Sequence, residues 1–388
     1  MMAHHRVDCG DLPVELTLSV FQPGAGPVEV NLMAMVTRVL PLAEQVGLLS
    51  RLYEQALESL GLDRSTAVFR RLFCSDPANQ AEQLLTSPLL ADDCATSWVG
   101  QAPVGPGKVA LWAYHLGDPR GPLATSRDGA TFALHRDTLT HYWTTGLAAA
   151  QAPDAYSQSE AVIKAYVDIL GGRALTLADH LVRTWFFVRD IDVNYQGLVK
   201  ARRELFDIHG LTADTHYTAS SGIGGESANT RALVFLDAWS IAGVRPEQIR
   251  YLKARDHLSP TNTYGVTFER GTAIGYRDRT HALISGTASI DERGRILHPG
   301  NVERQLERTL ENVEALLAEA GATGVDMSHW IVYLRDVSDE PLIRARMRQR
   351  YGDAPMVFLD APVCRPGWLV EVEGIAMVPG DYPAFPHF

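Results

Sequence analysis

RTWFFVRD, residues 183–190, and HWIVYLRD, residues 329–336, read as one strand written twice. Each is an apolar run closed by Arg-Asp, and each is flanked by helical patterns at matching distances. Before the second copy, Leu306, Leu310, Val313, Leu316 and Leu317 recur at helical spacing over residues 302–320, and Gly321 stands where a C-cap belongs. Residues 341–351 predict a second helix after it. The first copy has the same partners, a helix over 161–170 and another over 197–208. Upstream of each helix pair lies a strand with a glycine bend, HYWTTGL from His141 and THALISGTASID from Thr280. A third, more divergent copy follows from VFRRLFCSD, residues 68–76, with helical stretches at 49–60 and 78–85 and no counterpart of the SGT step. Apolar stripes of this kind are chiefly core. Their repetition carries a geometric consequence: three α+β units can pack their sheets together with helices outward, as a trimer does. The units are placed at residues 1–130, 131–250 and 251–388. Clefts then lie between neighbouring units, and a fused chain can keep one active while the others decay.

The last unit ends in PMVFLDAPVCRPGWLVEVEGIAM, residues 355–377. Two strands are read there, 356–359 and 368–377, joined as a hairpin by the turn signal Arg365-Pro366-Gly367. In the second strand Leu369, Glu371, Glu373 and Ile375 share one face. A carboxylate on so apolar a strand is either solvated or held in a cleft, and Cys364 and Arg365 at its mouth favour the cleft for Glu371. For Glu373 a solvated face is expected.

Composition narrows the class. A net charge of −11 excludes a nucleic-acid binder, which needs a basic stripe. No apolar run reaches the roughly 18 residues of a membrane span, and the first dozen residues have no apolar signal core. Four scattered cysteines without CxxC spacing fit a reducing compartment, so a cytoplasmic location is expected. HExxH and GxGxxG are both missing, so neither a metal nor a dinucleotide cofactor is expected.

The repeat unit, with SGTASID, YLRD and LVEVEGIAM, resembles the RidA/YjgF-like family, whose chorismate-mutase-like units form homotrimers with clefts between subunits. Taken together, HYTASSGIGG from His216, TNTYGVTFERG from Thr261, HALISGTASID from His281 and VCRPGWLVEVEG from Val363 resemble the chorismatases more narrowly. The resemblance implies a pseudo-trimer with sheets inside and helices outside, acting as a monomer. It also implies loss of the enolpyruvyl side chain of chorismate as pyruvate, with Glu371 protonating the enol-ether methylene. Cys364, at the head of the CRxxxLVE motif, implies the branch that aromatises to 3-hydroxybenzoate. A hydrolytic branch giving a dihydroxycyclohexadiene carboxylate, and a 4-hydroxybenzoate-forming variant, are the alternatives. An enamine/imine deaminase or a sensor without turnover is more remote.

The residue types suit that chemistry. Protonating carbon needs a neutral carboxyl group near pH 7, and burial or a second carboxylate raises a glutamate from its ordinary value of about 4.3. Two substrate carboxylates call for arginine forks, with Arg365, Arg270 and Arg231 as candidates. Tyr217 and Tyr264 are candidate hydrogen-bond donors. Ser221, Gly222 and Thr287, in glycine-containing bends, are candidate anion contacts through backbone N–H groups.

Overall fold

The computed structural model describes residues 1–388, the side chain of Tyr264 apart. The first unit runs β1 (Met2–Arg6), β2 (Val14–Phe21), β3 (Val28–Val36), α1 (Leu42–Ser59), β4 (Ala67–Cys74), α2 (Pro77–Leu85), β5 (Ala95–Gly100), β6 (Ala102–Pro103) and β7 (Val109–Gly117). The second runs β8 (Ala124–Asp128), β9 (Thr131–Arg136), β10 (Leu139–Ala148), α3 (Ala155–Gly171), α4 (Leu177–His180), β11 (Leu181–Val188), α5 (Ile191–Ile208), β12 (Ala219–Gly224) and β13 (Val234–Ala242). The third runs β14 (Ile249–Leu252), β15 (Gly271–Gly275), β16 (Arg279–Ala288), α6 (Val302–Glu319), β17 (Met327–Leu334), α7 (Glu340–Tyr351), β18 (Met356–Asp360) and β19 (Val370–Pro379).

Three mixed sheets result, ordered β1-β2-β3-β7-β4-β5, β12-β11-β13-β10-β9-β8 and β14-β15-β16-β19-β17-β18-β6. The first boundary, expected at residue 130, falls earlier, between Gly117 and Ala124, because β8 pairs antiparallel with β9 and belongs to the middle sheet. The second falls just before β14 rather than at residue 250.

The triplication is written in the registers. Strands β4, β11 and β17 each slip by one residue against their antiparallel partner near their start, at Ala67/Phe69, Leu181/Arg183 and Met327/His329. A second slip recurs at Thr144/Leu147 in β10 and Ile284/Thr287 in β16. The corresponding pair β3–β7 runs through without one, in keeping with the missing SGT step. The Asp closing each repeated strand has a local reason as well. Asp76 and Asp336 accept backbone N–H bonds from Asn79 and Ser338 and start the helices that follow. Asp190 has instead moved into the left-handed region, with φ of 45° and no capping bond.

One expectation is overturned. The strands at 356–360 and 370–379 are not a hairpin: β17 lies between them, parallel to β18 and antiparallel to β19. The unit is a β-α-β crossover through α7, whose parallel strands β17 and β18 lie side by side, and β19 returns on the far side of β17.

The sheets face one another. A continuous core draws Phe69, Trp112, Trp143, Trp185, Trp239 and Trp330 from all three units, with helices outside. Trp143 stacks on Trp239 at 4.3 Å and Phe69 meets Trp112 edge-on at 4.9 Å. Separate apolar layers join α3 and α5 to the middle sheet and α1 to the first. At 25 cal/mol per Å² of apolar surface removed from water, faces of this kind dominate the stability. The short β6 of the first unit pairs with β18 of the third, Pro103 opposite Leu359. Among the described residues, no helix is long and apolar enough to cross a membrane.

Candidate active site

The cleft between the middle and C-terminal units is where candidate residues converge. Its walls come from both sides: Tyr195, Arg202, Ser220 and Gly222 from the middle unit, and Phe268, Arg270, Gly286, Cys364, Arg365, Trp368 and Glu371 from the last. Glu371 extends from β19 and is 4% exposed. Burial pushes its carboxyl up to about 8, with the Glu373 charge adding to the shift and Arg270 and Arg183 opposing it. At neutral pH the COOH form therefore predominates.

Gly286 makes room for it. A Cβ at this position in the β16 bulge would lie 2.1 Å from Glu371 Oε1, so a side chain there would evict the carboxyl group. The Gly286 N–H is fixed by donating to Ser221 Oγ at 2.8 Å. Ser221 in turn donates to Glu373, whose carboxylate also receives Arg183 Nη2 and Trp185 Nε1, each at 2.8 Å. Glu373 and Arg183 side chains are each 2% exposed, so the solvated face expected for Glu373 is replaced by a clamped ion pair across the unit boundary. The two glutamates share a strand face but not a condition: Glu373 is saturated with donors, and Glu371 faces the cavity.

Cys364 lies in the loop before β19, and burial pushes its thiol up to about 12, with Glu371 adding to the rise. Tyr195, from α5 of the middle unit, lines the same pocket across the boundary, and its hydroxyl counteracts part of that rise. Arg365 stacks on Trp368 at 5.0 Å, and Trp368 Nε1 donates to the Ser289 carbonyl at 3.0 Å. Arg270 donates to the Ser259 carbonyl at 3.1 Å beside the Phe268 ring. Arg202 donates to Thr267 Oγ1 at 3.2 Å and Ser220 Oγ at 3.3 Å. Three guanidinium groups and one neutral acid thus line a single apolar-walled pocket, an arrangement fit to hold an anion with more than one carboxylate and to donate a proton to it.

Of the residues singled out in the sequence, Glu371, Cys364, Arg365, Arg270 and Gly222 line this pocket. Ser221 lies behind it. Two backbone donors of these bends are already engaged, Ser220 N–H with Ser285 Oγ and Gly286 N–H with Ser221 Oγ. Thr287 is buried and donates to the Ser285 carbonyl. Tyr217 lines a neighbouring hollow with Lys253, Thr261 and the far side of Arg270. Arg231 is exposed on the surface, away from the cleft. The side chain of Tyr264 lies outside the described residues. Arg202 and Tyr195 went unnoticed in the sequence, although a charge within the α5 stripe Ile191, Tyr195, Leu198, Arg202, Leu205 was the signal available.

Comparisons with known proteins fall on the same lines. The family model described as Endoribonuclease L-PSP matches residues 273–378. A RutC family protein of Pyrococcus abyssi is 32% identical over 97 residues, covering 24% of this chain and 76% of the relative. A 3-hydroxybenzoate synthase of Streptomyces hygroscopicus is 27% identical over 272 residues, 65% of this chain and 77% of the relative. A crystal structure of a chorismatase superposes with a TM-score of 0.62 at 20% identity, over 80% of this chain and 93% of that one. Fold and pocket together define an enzyme made of three fused RidA-like units. The chain belongs to the RutC family of RidA-like proteins, and over 65% of its length it is similar to the 3-hydroxybenzoate synthase.

Proposed function

We propose that this protein converts chorismate to 3-hydroxybenzoate and pyruvate. The observation that carries this reading is Glu371, a carboxyl group that burial keeps largely protonated at neutral pH inside a pocket shared by two units and lined by Arg202, Arg270 and Arg365. The similarity to the 3-hydroxybenzoate synthase supports the choice of substrate and product.

The arginines hold the two substrate carboxylates, and their dianion reinforces the protonated state of Glu371. Glu371 then hands its proton to the methylene carbon of the enol ether, leaving an oxocarbenium-like centre. The adjacent ring hydroxyl displaces the activated side chain, which departs as pyruvate, and the proton that the hydroxyl sheds restores the Glu371 carboxyl group. The ring oxygen is then bonded to two neighbouring carbons, and aromatisation requires one of these bonds to open while a ring C–H proton is lost. The atoms of chorismate equal those of the two products, so no water is consumed, and the C–H proton lost from the ring balances the one that the ring oxygen regains. Cys364 assists this last stage. We place the protein in the cytoplasm as a monomer, a reading supported by four free cysteines and by the trimer-like packing already supplied within one chain.

The test is incubation of the purified protein with chorismate in water enriched in oxygen-18. Equimolar pyruvate and 3-hydroxybenzoate without ring label are expected. A labelled dihydroxycyclohexadiene carboxylate would mean the hydrolytic branch, 4-hydroxybenzoate would mean a different isomer, and unchanged chorismate would overturn the proposal.

A further inference from the structure

We propose that Tyr195 is a positioning residue for Cys364, and that it determines whether the ring product is aromatic. The inference rests on the function proposed above and adds a residue from the opposite unit to it. Its grounds are geometric. Tyr195 comes from α5 of the middle unit and Cys364 from the loop before β19 of the last, yet both line the inner pocket and also its outer mouth, where Lys200 and Arg203 stand. The Tyr195 ring is seated against Gly222, where an added Cβ would come within 3.0 Å of its Cε2. That glycine leaves the space for an aromatic ring between strand and thiol. The phenol is within reach of Sγ, and a phenol donating there would leave the thiol's own proton for the cavity.

Cys364 needs such a partner. Burial and the neighbouring Glu371 oppose its ionisation, while Tyr195, Arg365 and Arg202 favour it, Tyr195 most strongly. A resting thiolate is therefore not available as a base. The thiol acts instead within one exchange. Its S–H proton passes to the ring oxygen as one C–O bond opens. The sulfur takes the ring C–H proton, and the electrons of that C–H bond complete the aromatic ring. The thiol ends as it began, with no external donor or acceptor. In between, sulfur carries negative charge, and the Tyr195 hydroxyl is the neutral donor already aimed at it. Without that bond the exchange slows and water has time to add to the ring.

The experiment compares wild type with Tyr195→Phe, Cys364→Ala and the double variant, measuring the ratio of hydroxybenzoate to pyruvate. It also measures, without substrate, the rate of iodoacetamide alkylation at Cys364 by site-resolved mass spectrometry. Tyr195→Phe is expected to lower the ratio and to slow alkylation at pH 9 about tenfold, the worth of a hydrogen bond to a charged group. The double variant is expected to match Cys364→Ala in product ratio. An unchanged ratio with unchanged alkylation, or an additive loss in the double variant, would overturn the proposal. If Tyr195→Phe does not fold, Gly222→Ala displaces the ring while keeping its hydroxyl and is expected to shift both readouts in the same direction. Should the wild type release no pyruvate from chorismate, the functional reading fails, and the alkylation rates still decide whether Tyr195 governs the thiol.

Discussion

The cleft between the first and middle units is built like the one between the middle and last, and it holds no counterpart of Glu371. Register aligns them position by position. Asp237 stands where Glu373 stands, and Ser97 where Ser221 stands. Asp237 is bound by Arg71 Nη2 at 2.8 Å, by the Ser97 hydroxyl and by the Gly146 N–H at 2.8 Å. A carboxylate, an arginine, a serine and the bulge glycine thus recur at both boundaries. The position of Glu371 is occupied by Phe235, 3% exposed and stacked on Phe187 at 4.8 Å, and that of Gly222 by Trp98. The difference separates two roles that adjacent glutamates would otherwise blur. The inner carboxylate is a tie between units, kept at these two boundaries and replaced by Trp112 at the third, and the outer one, to which we assign the chemistry, occurs at one alone. A tie of this sort is no large source of stability by itself, because desolvating two charges offsets most of their attraction. Its loss on one side only is a different matter.

Three tests sharpen this contrast. Glu371→Gln should lower pyruvate release about 10³-fold, the scale of a lost general acid, while circular dichroism stays native. It should also change the pH dependence of stability. Folding raises the Glu371 carboxyl from its ordinary value of 4.5 to about 8, so the folded state binds the extra proton between those limits. Its stabilising contribution is complete below about 4.5 and is lost as pH rises toward 8, and the variant's melting temperature should fall less than wild type across that window. Next, Gly286→Ala should reduce kcat about 10²-fold with little change in KM, because the new methyl displaces the acid rather than the arginines. A variant with normal kcat would break the assignment of Gly286 as the seat of Glu371.

The third test pairs Glu373→Gln with Asp237→Asn. Each leaves a buried arginine without its charge partner and should cost about 3–5 kcal/mol in denaturant unfolding. Only the first should also move activity. Removing the Glu373 charge lowers the Glu371 carboxyl, so the limb where activity falls with rising pH should shift to lower pH in Glu373→Gln and stay in place in Asp237→Asn. Equal pH profiles in the two variants would dissolve the distinction between the clefts.

Much of this was legible in the chain. The repeated strands, the helices and the glycine bend follow from local periodicity, and Glu371 with Cys364 stood out because a carboxylate and a thiol sit in an otherwise apolar run. Pairing was harder. β18 and β19 are joined by a short loop and look like neighbours, but the sheet inserts β17 between them, a choice made by packing far along the chain. Tyr195 and Arg202 were hidden for a related reason. They belong to the stripe of a helix 160 or more residues before Glu371, and only the docking of two units makes that stripe the wall of a pocket. Arg231 drew attention as a charge near a strand, yet nothing local distinguishes a surface arginine from a buried one.

The pairing of Pro103 with Leu359 has a consequence for the ancestry of the fold. The edge of the C-terminal sheet is finished by residues lent from the first unit. The segment that matches free-standing relatives can no longer be cut out and expected to live alone, since excision bares an open strand edge that invites aggregation. Fusion here works as a ratchet: once one protomer's border is completed by another's chain, the return to separate subunits is closed.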